Sequence, residues 1–113
     1  MEKNLTKWSK NSKAFRLFVD ELNKRLTQLD DLQKASPTEN QELLNDAKNC
    51  FHQTKGAAGM FGYDDLAEAS AELERYFSAN LTKVFTMNLE SKALIEQFKR
   101  CVDDLLKDKE NNL

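Results

Sequence analysis

His52 is the only imidazole in a chain of 113 residues, and the three glycines, Gly56, Gly59 and Gly62, all follow it within ten positions. An imidazole can serve as a nucleophile, a proton carrier or a metal ligand. One histidine cannot by itself make a structural zinc site, so no metal is assigned. Neither a GxxxxGK[ST] loop nor a GxGxxG fingerprint is present, so nucleotide binding has no support. Around His52 there is no recognisable aspartate partner and no oxyanion loop of the kind a hydrolase needs. What remains is a nucleophile that takes a group another protein delivers and activates. Phosphoryl transfer fits best, because positioning and electrostatics do most of the work there.

Helical phase shows which way the imidazole points. At about 100° per residue, Leu43, Cys50, Thr54, Ala57 and Phe61 fall near the pole opposite His52. Ala47, Phe51 and Ala58 widen that apolar stripe on one side. Asn45, Lys48, Asn49, Lys55, Gly56 and Gly59 flank His52 instead, so the ring is expected to face water on a polar, basic surface. Lys48 and Lys55 lie one turn either side of it, suited to a nearby anion as mobile point charges. Glycine inside a helix costs about 0.5–1 kcal/mol relative to alanine, so Gly56 and Gly59 require a reason. Close approach by another protein supplies one. Tight helix packing is the alternative, but they lie on the wrong face for it. Gly62 falls where the helix must stop and reads as a left-handed C-terminal glycine.

The elements that carry this stretch read as helices throughout. Good helix formers dominate, β-branched residues are scarce, and there is a single proline. Phe15, Phe18, Val19, Leu22, Leu26 and Leu29 make one apolar stripe, predicting a helix over roughly 12–33. Ser36-Pro37-Thr38-Glu39 is a capping box that opens a second helix over roughly 37–61. Leu66, Ala69, Leu73, Tyr76 and Phe77 predict a third over 64–79, and Leu94, Phe98, Cys101, Val102 and Leu105 a fourth over 88–108. A polar tail, DKENNL, is expected to fray. The expected fold is all-α, an antiparallel up-down-up-down four-helix bundle forming one domain over 1–113. Trp8 belongs to an N-terminal extension that packs onto it.

Composition removes other functions. The net charge is −2 and the charges are interspersed, without the basic stripe of a nucleic-acid binder. No apolar run reaches the length of a membrane span, and MEKNLTKWSK lacks the pattern of a signal peptide, so the protein is expected in the cytoplasm. Cys50 and Cys101 have no metal-like spacing and read as buried free thiols.

HQTKGAAGMFGYDDL resembles the signature of histidine-containing phosphotransfer (HPt) domains. The pattern is histidine, then Lys-Gly three and four residues on, glycine at ten and leucine at fourteen: His52, Lys55, Gly56, Gly62 and Leu66. Ala57, Ala58, Leu73 and Glu74 also suit the family. Thr54 stands where a larger aliphatic residue is more usual, and Tyr63 where something smaller is common. The resemblance implies a phosphorelay carrier. His52 would accept a phosphoryl group, usually on Nε2, from the aspartyl phosphate of one receiver domain and pass it to the aspartate of another. Lys55 would stabilise the phosphoryl group, while Lys48, Asn49, Gln53, Gly56 and Gly59 would meet the receiver. It implies no autokinase activity and no cofactor of its own, the Mg²⁺ belonging to the receiver. A hybrid sensor kinase would stand upstream, and the carrier would be a monomer, although apolar residues around Leu81, Val84 and Phe85 leave a contact open. Two other readings are a non-catalytic helical adaptor or docking bundle, and the dimerising histidine domain of a sensor kinase. The second is disfavoured because that histidine sits in a different motif, followed by an ATP-binding domain.

Overall fold

The computed structural model describes residues 13–34, 40–81 and 89–111. Trp8 with the N-terminal extension, the capping box at 36–39 and the stretch around Val84 and Phe85 lie outside the described residues. Within them the chain forms four helices and no strand: α1 (Lys13–Lys34), α2 (Asn40–Met60), α3 (Asp64–Ala79) and α4 (Leu89–Asn111). The fourth helix continues to Asn111, through most of the segment expected to fray.

Each helix packs on its neighbours in sequence, most extensively α2 on α3, and α4 closes the ring against α1. That order of contacts is the one an up-down-up-down bundle produces. The core holds six leucines of the first three helices, Leu22, Leu29, Leu32, Leu44, Leu66 and Leu73, around the rings of Phe15, Phe51, Phe77 and Phe98.

Two aromatic groups organise this interior. Phe51 of α2 meets Phe98 edge-on at 5.0 Å and Phe77 at 5.9 Å, tying three helices together in mid-bundle. At the α2–α3 turn, Phe61 stacks on Phe18 at 4.9 Å and meets Phe15 edge-on at 5.6 Å. Tyr63 lies against the same two rings of α1, at 6.2 Å from Phe15 and 6.3 Å from Phe18. A large residue after Gly62 therefore has a local purpose: its ring extends the core over the end of α1.

The buried face of α2 is turned from the expected position. Leu44, Ala47, Phe51 and Ala58 are fully buried, whereas Leu43, Cys50, Ala57 and Phe61, placed at its centre by the wheel, are only half-buried. The dominant partner is α3, and it draws the buried face toward Phe51. Similar one-residue shifts occur elsewhere. Val19, Leu26, Tyr76 and Leu94 pack at the core's margin, while Arg25 and Ile95 are buried. Cys50 and Cys101 are free thiols, half-buried rather than buried. Desolvation, then Asp65 and Asp104, push the Cys101 thiol above its ordinary value.

Candidate phosphotransfer site

His52 and Glu74 meet because the α2–α3 connection is short. Gly62 has φ of +85°, the left-handed conformation that a Cβ disfavours. Gly62 N–H donates to the Gly59 carbonyl at 3.1 Å and Tyr63 N–H to the Ala58 carbonyl at 2.9 Å. This pair of bonds is a Schellman motif, so the expected C-terminal glycine is found. The chain reverses at once into α3, whose first turn carries Asp64 and Asp65 against the helix dipole. Ten residues back from Gly62 is His52, and twelve residues on is Glu74. At a rise of about 1.5 Å per residue, the two stand at similar heights on adjacent antiparallel helices.

The imidazole stands at the surface, its side chain 63% exposed. Its mounting is rigid: Phe51, the preceding residue, is fully buried, and Thr54, two positions on, is 95% buried because its relative exposure is 5%. The Thr54 hydroxyl donates to the Cys50 carbonyl at 3.0 Å, which satisfies a polar group where an aliphatic residue is more usual.

Sequence reading found no acidic partner for His52, and the structure corrects this. Glu74 Oε2 lies 2.9 Å from His52 Nδ1, and Glu74 Oε1 lies 3.1 Å from Lys55 Nζ. A carboxylate is acceptor-only, so Nδ1 must carry the hydrogen and donate it. In the neutral form of the ring that tautomer leaves the lone pair on Nε2. Burial raises the Glu74 carboxyl, but hydrogen bonds from Lys55 and His52, with their charges, outweigh it and hold the group below its ordinary value. One carboxylate thus joins the imidazole and the lysine. The face expected to be basic is locally neutralised. Glu74 was missed because it lies 22 residues away on another helix; the signal present was the Leu73-Glu74 pair in the family pattern.

The other expected site residues divide. Lys55 is half-buried and joined to the site through Glu74, whereas Lys48 is half-buried and Asn49 exposed on the same helix. Gly56 and Gly59 are exposed, and a Cβ at either would meet nothing within 4 Å. Packing inside this bundle therefore does not require glycine at those positions. Gln53 points the other way, into a groove of about 440 Å³ between α1 and α2. That groove also has Leu17 and Met60 on its walls, two of the large apolar residues left exposed. Periodicity had not marked either of them.

The Hpt domain family matches residues 13–108, which include all of α1 to α3 and most of α4. The chain belongs to the Hpt domain family. Its class of activity is histidine phosphotransfer in two-component phosphorelays, with receiver domains as partners. Among curated proteins and among solved structures, nothing matches the chain at a significant level. No helix among the described residues is long and apolar enough to cross a membrane.

Proposed function

We propose that this protein is a phosphorelay carrier with His52 as the phosphoacceptor. The observation that carries this reading is the exposed ring whose Nδ1 is engaged by Glu74, leaving Nε2 free. A receiver domain brings its aspartyl phosphate to Nε2. The Nε2 lone pair attacks phosphorus, the P–O bond to the aspartate breaks, and the electron pair leaves on the carboxylate oxygen. A second receiver reverses the step. The Mg²⁺ that neutralises charge on the acyl phosphate belongs to the receiver, and the carrier needs no cofactor.

Lys55 supplies a cation beside the phosphoryl oxygens. Gly56 and Gly59 let the receiver's surface come down on bare backbone, with Lys48, Asn49 and Gln53 at the edges of contact. The groove with Leu17 and Met60 continues that surface beyond Gln53. One copy contains every group named, so a monomer in the cytoplasm suffices. A hybrid sensor kinase feeds the relay, and the carrier does not phosphorylate itself from ATP.

Incubation with a phosphorylated receiver tests this directly. Acid-labile, base-stable phosphate should appear on the wild type and be absent from His52→Gln. Label retained by that variant, or never acquired by the wild type, removes the reading in favour of a non-catalytic adaptor. ATP alone should give no label.

A further inference from the structure

Glu74 holds two partners, and phosphorylation changes what each needs. In the bare protein its Oε2 accepts from His52 Nδ1–H, while its Oε1 pairs with Lys55 Nζ. When Nε2 attacks phosphorus, no proton moves. The Nε2–P bond forms, Nδ1 keeps its hydrogen, and the ring leaves the step as a phospho-imidazolium cation. The developing positive charge is shared by the two ring nitrogens, and the one that bears hydrogen, Nδ1, faces Glu74. A phosphoryl group on Nε2 meanwhile offers a new anionic partner to Lys55, which is joined to the ring through Glu74.

The proton on Nδ1 decides how readily the phosphoryl group leaves. With it, cleavage of N–P releases a neutral imidazole, a good leaving group. Without it, cleavage must release an imidazolide anion, a far poorer one. Other charges near the ring oppose the cation: Lys48 and Lys55 stand one turn either side on α2. Glu21 and Arg25 of α1, across the groove beyond Gln53, pair with each other at 3.2 Å. Glu74 from α3 is the carboxylate in hydrogen-bonding contact with the ring.

We propose that Glu74 is a positioning residue whose negative charge, beyond its hydrogen bond, keeps the phosphorylated His52 ring protonated at Nδ1 and so keeps the phosphoryl group short-lived and transferable. Transfer of Lys55 from Glu74 to the phosphoryl oxygens releases the carboxylate's full charge to the ring at the moment the ring becomes a cation. This rests on His52 as the phosphoacceptor.

Phosphoramidate, a small-molecule donor, loads the histidine without a receiver, so the test does not depend on finding the partner. The half-life of the phosphohistidine is followed from pH 5 to 9 in the wild type, Glu74→Gln and Glu74→Ala. An opposite charge close to a titrating group favours its charged form by one unit or more, and one unit is a tenfold change in population. Glu74→Gln, which keeps a hydrogen-bond acceptor and loses the charge, should therefore lengthen the half-life at pH 8 by about tenfold while leaving it unchanged at pH 5. Glu74→Ala should do the same and also spread phosphate between the two ring nitrogens. A Glu74→Gln profile that overlays the wild type overturns the proposal. So does a ¹⁵N spectrum of the loaded wild type at pH 7.5 showing Nδ1 without its hydrogen, a measurement that needs no variant. Failure of every receiver to exchange with a normally behaving phosphohistidine would count against the relay and leave the Glu74 result standing.

Discussion

Residues 51 and 52 are neighbours in the chain and opposites in the fold. Phe51 is fully buried against Phe77 and Phe98, with apolar surface all around it. His52 is 63% exposed and bound to Glu74, beside two glycines that no part of the bundle requires. The lower layer supplies rigidity and the upper layer supplies chemistry. Separating the two across a single peptide bond lets a reactive ring stand in water on a close-packed mounting, because the residue before it is fully buried.

The two layers should fail differently. The largest effect is expected below: Phe51→Ala should cost about 3–5 kcal/mol of stability, measured by urea denaturation, as a buried ring is replaced by a cavity. His52→Gln should change stability by no more than about 0.5 kcal/mol yet abolish phosphate uptake. Equal losses of stability from both would erase the distinction between mounting and reagent.

The glycines sharpen it next. Gly62→Ala forces a Cβ into the left-handed region and should destabilise by about 1–2 kcal/mol. Gly59→Ala, in open space within a helix, should stabilise by about 0.5–1 kcal/mol. Gly56→Gln should leave thermal stability intact and slow receiver transfer, because the long side chain obstructs docking. Unchanged transfer would show that glycine there serves no partner.

The smallest effect lies in pH. Glu74 is held below its ordinary value of 4.5, so its contribution to stability is present above that pH and lost as pH falls through the lowered value. Wild type and Glu74→Gln should therefore differ in urea midpoint at pH 7, and the gap should narrow as pH falls below the ordinary carboxylate value. A gap that persists in acid would assign the difference to shape rather than charge.

Much of this was written into local sequence. Gly62 announced the helix stop because a single residue's conformation decides it, and the outward direction of His52 followed from phase alone. The aromatic and leucine stripes gave an all-α bundle for the same reason. The centre of α2's buried face was misplaced, since phase does not reveal which neighbour packs hardest, and Leu44 proved central. Arg25 went unnoticed in the core, as periodicity weighs apolar side chains only. Glu74 depends on the height at which two helices meet after a turn, which no pattern within one helix encodes. The groove at Leu17 and Met60 is likewise a property of two helices together.

The most direct test of the account is to find the phosphorylated atom after transfer from a receiver. Long-range ¹H–¹⁵N correlation on uniformly ¹⁵N-labelled protein distinguishes the two nitrogens of the single histidine. The account predicts phosphorus on Nε2 of His52, with Nδ1 still bearing its hydrogen; phosphorus on Nδ1, or on any other residue, contradicts it.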